Sequence, residues 1–301
     1  MNIRVEPGRY IVAVSGGVDS MVLLDVLRQQ PGLELAAAYY DHGIRLDSDE
    51  DRALVESIAL QHALPFFTEQ GKLGANASEA TARDKRYDFL HRVQDTWGAV
   101  AIMTAHHQDD VLETAIINLI RGTGRKGLAS ITDTNELRRP FLHITKQDVL
   151  VYAKTHAITW REDSTNSDPK YLRNHIRQAI MPKFSAHARA KLLQIIHTAH
   201  EQNIAIDNII TQFITLENLS ISRNLVIFSN FSVSCELLAT WLRHHAVEFD
   251  RKSIERMVVG AKTLPIGKCI DVSGSMVLRI TKDEFAIEHR ATTRQKQYKS
   301  V

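Results

Sequence analysis

Residues 10–20 read Tyr-Ile-Val-Ala-Val-Ser-Gly-Gly-Val-Asp-Ser, and helical apolar spacing follows as far as Gln29. An uninterrupted apolar run such as Tyr10–Val14 predicts a strand buried on both faces, as in a parallel sheet. Ser15-Gly16-Gly17-Val18-Asp19-Ser20 then leads straight into a helix predicted over Ser20–Gln29. Strand, glycine turn and helix N-terminus in that order suit an anion: glycines allow close backbone approach, hydroxyls and amides donate, and the helix dipole favours negative charge. The hexapeptide is neither the Walker loop, which ends in Gly-Lys-Ser/Thr, nor GxGxxG. Two glycines alone would equally serve a tight turn with Ser20 as a cap.

The alternation continues outward. Leu35–Tyr40, Pro65–Thr68 and Val100–Thr104 read as further strands, with helices at Asp49–His62, Ser78–Trp97 and Asp109–Arg121. That pattern predicts an α/β fold, a Rossmann-like open parallel sheet with ligands at the carboxyl ends of its strands. Beyond Gly122 come a loop, an extended piece around Arg139–Leu142, a helix over Lys146–His156 capped by Thr145, and a polar stretch, 161–170. Leu192, Ile195, Ala199, Ile206, Ile209, Phe213 and Leu216 keep helical spacing and predict one long linking helix. The tail reads as a small α+β domain, with a strand at Leu225–Phe228, helices near Glu236–Ala246 and Ser253–Ala261, and three short strands. The expected division is therefore 1–185, a linking helix over 186–217, and an accessory domain over 218–301.

Composition supports a folded protein: 301 residues, 44% hydrophobic and 24% charged. The net charge of +2 hides a split, because residues 1–120 hold 10 Lys or Arg against 18 Asp or Glu, and residues 121–301 hold 27 against 17. Such asymmetry hints at a polyanion partner. Cys235 and Cys269 are too few and too far apart for a disulfide framework, a structural zinc or an iron–sulfur cluster. The longest apolar run, Leu35–Tyr40, is far too short to span a bilayer, and no secretory signal precedes the first strand, so a cytoplasmic protein without a membrane partner is expected.

Three further segments carry chemistry. Asp41 ends the second strand in Asp41-His42-Gly43-Ile44-Arg45, where a carboxylate can hold a metal ion, hold a cationic substrate, or simply make an Asx turn. In Thr104-Ala105-His106-His107-Gln108-Asp109-Asp110-Val111-Leu112-Glu113, the residues His106, Asp110 and Glu113 are spaced to share one helix face. That set fits a transition metal, a magnesium ion on one or two carboxylates, or a solvated capped helix start. Glu79, Arg83 and Arg86 share a face of the preceding helix, for phosphate or as an ordinary surface pair. Arg121-Gly122-Thr123-Gly124-Arg125-Lys126 joins glycine flexibility to positive charge, which suits polyphosphate or RNA backbone as well as solvent.

Ser15–Ser20 resembles the PP-loop of ATP pyrophosphatases. Taken in order with Asp41–Arg45, Asn76–Tyr87, Thr104–Thr114, Leu119–Leu128 and Trp160–Arg177, it closely resembles the tRNA(Ile)-lysidine synthetase family over about residues 10–185. The resemblance implies ATP bound by Ser15, Gly16, Gly17, Val18, Asp19 and Ser20. It implies adenylation of the C2 carbonyl oxygen of the wobble cytidine in the CAU anticodon of tRNA(Ile), and displacement of AMP by the ε-amine of L-lysine. Asp41 and Asp110 are then expected to handle the lysine ammonium, shared with Mg2+, and His106 phosphate or a proton. Arg83, Arg86, Glu113, Arg121, Arg173 and Arg177 are expected on the substrate or tRNA side, while Asn166 and Asn174 fit positional roles equally well.

With only about 85 residues after the linking helix, the chain is expected to be a shorter form with one accessory domain. A homodimer stays open beside a monomer. The rivals are another PP-loop tRNA-modifying enzyme, such as a thiolase, which would call for catalytic or cluster-binding cysteines, and a non-catalytic nucleotide- or RNA-binding module.

Overall fold

The computed structural model describes residues 1, 3–43, 48–71, 74, 78–162, 172–274 and 276–290. Arg45, Asn76 and Asn166 lie outside the described residues, as does most of the polar stretch after Arg161. Contacts divide the chain into two compact units, Met1–His197 and Thr198–Val301.

The first unit is built on β1 (Gly8–Ala13), β2 (Leu33–Asp41), β3 (Phe66–Gln70), β4 (Ala101–Met103) and β5 (Leu137–Arg138). They lie in the order β3-β2-β1-β4-β5, every pair parallel. The connections are α1 (Val18–Arg28), α2 (Ser48–Gln61), α3 (Glu79–Trp97), α4 (Gln108–Ile120) and the short α5 (Arg125–Leu128). Side chains alternate across a strand, so β1 can be central only if both its faces are apolar. Tyr10, Val12 and Val14 pack with α1 and α2, while Ile11 packs with Phe89, Leu90 and Val93 of α3. The winding reverses between β1 and β4. The loops leaving these two strands therefore diverge, and a crevice opens at their carboxyl ends.

Helix α6 (Lys146–Thr155) starts where the Thr145 cap predicts: Asp148 N donates to Thr145 Oγ1 at 3.1 Å, and Thr145 N donates to Asp148 Oδ2 at 3.2 Å. Its Tyr152 hydroxyl donates at 2.9 Å to buried Asp25 of α1, which also accepts from Arg28 Nε at 2.9 Å and Gln29 Nε2 at 2.8 Å. Tyr152→Phe removes one bond to this carboxylate and is expected to lower the unfolding free energy by about 1–2 kcal/mol. Urea titration checks it, and an unshifted midpoint would show the bond to be dispensable.

After α6 the described chain resumes as α7 (Leu172–His175), a π-helical turn (Ile176–Ile180) and a 3₁₀ turn (Met181–Lys183), then α8 (Ala186–Ile210). Helix α8 is shorter than expected, and its predicted stripe is not its buried side. Ile195, Ile209 and Phe213 are 56%, 56% and 64% exposed, whereas Ile196, Asn203 and Ile210 are buried. Apolar spacing found the helix and misjudged its rotation, because a polar residue, Asn203, occupies the buried row.

In the second unit, α9 (Arg223–Phe228), α10 (Phe231–His244) and α11 (Arg251–Thr263) accompany an antiparallel sheet. Its strands are β6 (Ser220–Ser222), β7 (Cys269–Ser273), β8 (Met276–Ile280) and β9 (Glu284–His289), ordered β6-β9-β8-β7. The strand expected at Leu225–Phe228 is helix. A short apolar run does not distinguish the two states, and the Ser222 hydroxyl caps the turn by accepting from Leu225 N at 3.4 Å. Trp241, Leu238, Met257, Leu278 and Phe285 form the fully buried centre.

Candidate active site

A cavity of about 980 Å³ occupies the crevice of the first unit, and four segments distant in sequence meet on it. The hexapeptide contributes Ser15, Gly17, Val18, Asp19 and Ser20. The Ser20 hydroxyl donates to Gly17 O at 3.0 Å and accepts from Ser15 N at 3.0 Å, so the serines lace the loop to itself. Gly16 holds φ +82°, a conformation that L side chains rarely adopt, and its carbonyl accepts from Arg161 N at 3.0 Å. It supports the loop from behind, because a Cβ there would touch Asp51, not the cavity. The amides of the first turn of α1 have no intrahelical acceptor, which leaves donors for an anion.

Asp41 lies at the carboxyl end of β2, buried, with Oδ1 accepting from Gly43 N at 2.8 Å and Oδ2 from Ser48 Oγ at 3.0 Å and Gln70 Nε2 at 3.2 Å. The Asx turn is real, and the same carboxylate lines the cavity. Three donors fix its orientation. A carboxylate offers about four lone-pair sites, so capacity for a cation remains.

The third segment follows β4. Helix α4 begins at Gln108 with His107 as N-cap, so His106 is not on the helix and shares no face with Asp110 and Glu113. This corrects the three-residue face expected from spacing. Among the described residues, no three His, Cys, Asp or Glu side chains gather as a metal site, which removes the transition-metal reading of that set. His106 lies in the cavity wall with Nδ1 2.8 Å from Thr104 Oγ1. Burial, reinforced by Arg139, Arg86 and Arg83 against the pull of Asp110, lowers its pKa to about 3, so the ring is neutral at pH 7. Asp110 accepts from His107 N at 3.0 Å. Burial works to raise its carboxyl, but His107, His106 and Arg177 hold it below the ordinary aspartate value.

Arginines supply the fourth component. Arg83 and Arg86 of α3 line the cavity with their guanidinium carbons 4.8 and 5.5 Å from the Tyr87 ring centre. The π-helical turn places Arg177 in the cavity wall, braced by Glu113 through bonds of 2.7 and 2.8 Å and by Asp110 at 3.3 Å. Arg173 donates to Thr114 Oγ1 at 2.7 Å. Glu113 is buried and lies under these arginines, not in the main cavity. Burial raises its carboxyl pKa against the pull of Arg177. Arg121 caps the far end of α4, exposed and outside the cavity lining.

Sequence reading passed over two cavity cations. Lys146 Nζ is 2.5 Å from Asp19 Oδ1, and Arg161 pairs with Asp51 at 2.8 Å and Glu50 at 2.5 Å. Lys146 and Asp19 are 127 residues apart, and Arg161 and Asp51 are 110 apart, separations that no local pattern reports.

Residues 2–184 match the model of a family described as the PP-loop domain. The chain is similar to the tRNA(Ile)-lysidine synthase of Thermotoga maritima, 36% identical over 245 residues, covering 77% of this chain and 58% of that protein. It is similar also to the tRNA(Ile)-lysidine synthase of Thermus thermophilus, 39% identical over 200 residues, covering 62% of this chain and 39% of that protein. The chain thus spans less than two thirds of these relatives' length. Among solved structures, the U34-tRNA thiolase NcsA from Methanococcus maripaludis with its [4Fe-4S] cluster superimposes with a TM-score of 0.54 at 17% identity, over 66% of this chain and 73% of that one. At that identity the likeness concerns the fold.

Proposed function

The chain belongs to the PP-loop family, and on that footing we propose that it is an ATP-dependent ligase that joins lysine to the wobble cytidine of tRNA(Ile), as the names of its relatives suggest. The observation that carries this reading is the convergence on one cavity of the hexapeptide loop, the carboxylates Asp41 and Asp110, and the arginines of α3 and the π-helical turn.

The chemistry asks for that combination. The C2 oxygen of cytidine is a poor leaving group, so it attacks the α-phosphorus of ATP, pyrophosphate departs, and the base carries an AMP ester. The lysine ε-amine then attacks C2, the C2–O bond breaks, and AMP leaves with that oxygen. An amine with a pKa near ~10.4 arrives protonated, so carboxylates must bind it and take its proton. Asp41 is oriented for the first task by three donors. Asp110, kept ionised, is available for the second. His106, a neutral imidazole, can bond phosphate or relay a proton. Arg86, Arg173 and Arg177 match phosphate oxygens with planar forks.

Mg2+ bound with ATP needs one or two protein carboxylates beside the phosphates, and Asp41 and Asp110 offer them around one cavity. When bound it would neutralise phosphate charge there. The basic excess beyond residue 120, residues 218–301 included, would hold the tRNA backbone, with affinity that falls as salt rises. Cysteine-dependent thiolation has less support, since it calls for catalytic or cluster-binding cysteines and the chain's two, Cys235 and Cys269, lie outside residues 2–184, which match the PP-loop domain.

The test incubates the protein with ATP, labelled lysine and tRNA transcripts that differ only at the wobble base. Label should enter the CAU transcript alone, with one AMP and one pyrophosphate per lysine. If AMP and pyrophosphate form while label stays out of that transcript, the acceptor assignment is wrong.

A further inference from the structure

The hexapeptide contains a contradiction. It offers hydroxyls and first-turn amides to an anion, yet Asp19, in the first turn of α1, places a carboxylate beside them. Near a protein surface the effective dielectric is well below that of water, so like charges a few ångströms apart repel strongly enough to oppose a polyphosphate arriving at an uncompensated carboxylate. The Walker loop meets its anion with a lysine of its own; this loop has none.

Lys146 brings that charge from elsewhere. It opens α6 directly after the Thr145 cap, and its ammonium lies 2.5 Å from Asp19 Oδ1. Its side chain also lines the main cavity, and with Arg177 it lines an adjoining cavity of about 150 Å³, so the two cations stand where the spaces meet. An ammonium carries three donors. One serves Asp19, which leaves capacity for phosphate oxygens without giving up the pair. As a purely structural tie the contact would contribute little, because the side chains are 34% and 31% exposed and solvent screens such pairs. Helices α1 and α6 are in any case already joined through Tyr152, Asp25 and Gln29.

We propose that Lys146 is a polyphosphate-binding residue of the PP-loop, cancelling the charge of Asp19 and gripping the β- and γ-phosphates of ATP and then the pyrophosphate released. This inference rests on the ATP-binding reading and not on the identity of the acceptor, so its test uses neither tRNA nor lysine.

Equilibrium binding of ATP, inorganic pyrophosphate and AMP is measured by calorimetry on the full chain, for wild type, Lys146→Met and Lys146→Arg, with thermal unfolding as the fold control. Lys146→Met should weaken ATP and pyrophosphate by roughly 10- to 100-fold, the loss of one charge-assisted bond to phosphate. AMP, lacking the outer phosphates, should change by less than about twofold, and Lys146→Arg should recover most of the pyrophosphate affinity because it keeps the charge. Unchanged ATP and pyrophosphate affinity in Lys146→Met overturns the proposal. An AMP loss equal to the ATP loss overturns it too, since Lys146 would then merely order the loop through Asp19. Failure of the wild type to bind either ATP or pyrophosphate removes the nucleotide reading itself, whereas normal wild-type binding with an indifferent Lys146→Met removes this inference alone.

Discussion

Replacing Gly17 with valine is expected to lower ATP-dependent turnover by on the order of 10²-fold or more, while costing less than about 1 kcal/mol of stability. The two glycines of the hexapeptide differ in what demands them. Gly16 is required by its own backbone, at φ +82°. Gly17 has φ −75° and ψ 158°, ordinary extended geometry open to any residue, and a Cβ built there meets only Ser15 Oγ, at 3.5 Å. Gly17 is the N-cap of α1, where glycine is preferred to valine, so the fold asks only that modest preference of it. Its missing side chain leaves room in the cavity at the point where the loop meets its anion, and a valine would fill that room. Pyrophosphate release reports turnover, and denaturant titration reports stability. Wild-type turnover in Gly17→Val would mean that no phosphate passes over this loop; Gly16→Val, by contrast, should lose stability as well as turnover.

The same contrast shows what could be read from the chain and what could not. Strands β1 to β4 and helices α1 to α4 were legible because each rests on a local rule, continuous apolar runs for buried parallel strands and 3.6-residue spacing for helices, and α6 was marked by its Thr145 cap. Asp41, Asp110, Arg86 and Arg177 stood out as candidates because they follow strands or stand in motifs, and all four line one cavity. That His106 stands off the helix was not legible, because its spacing to Asp110 and Glu113 fits one helix face, and the bond from His107 N to Asp110 is what sets the helix start at Gln108. Lys146 looked like an ordinary first-turn residue, since its partner is supplied by topology and not by neighbours. In α9, Val226 is fully buried and Phe228 is 82% exposed, a contrast that a four-residue apolar run conceals.

Arg177→Met should abolish turnover and, in addition, make stability depend on pH with a predictable sign. In the native chain Arg177 answers the buried Glu113 carboxylate with two bonds and reaches Asp110 with a third. Removing one partner of a buried pair costs about 3–5 kcal/mol; because the Arg177 side chain is 40% exposed and partly screened, about 2–3 kcal/mol is expected at neutral pH. Burial already raises the Glu113 pKa while Arg177 pulls it down, so deleting the arginine raises it further. Between its unfolded and folded pKa values Glu113 then keeps a proton in the native state that the unfolded chain has released. In that window stability must fall as pH rises, by linkage. Arg177→Met should therefore recover part of its lost stability when titrated from pH 8 toward pH 5, and adding Glu113→Gln should flatten the new slope by removing the titrating group. A pH-independent loss, or a slope that survives Glu113→Gln, would place the cost elsewhere than in the exposed need of Glu113 for a counter-charge. Turnover separates the two roles of Arg177: if it only braces Glu113, the double variant regains activity along with stability, and if its guanidinium also grips phosphate, stability returns and activity does not.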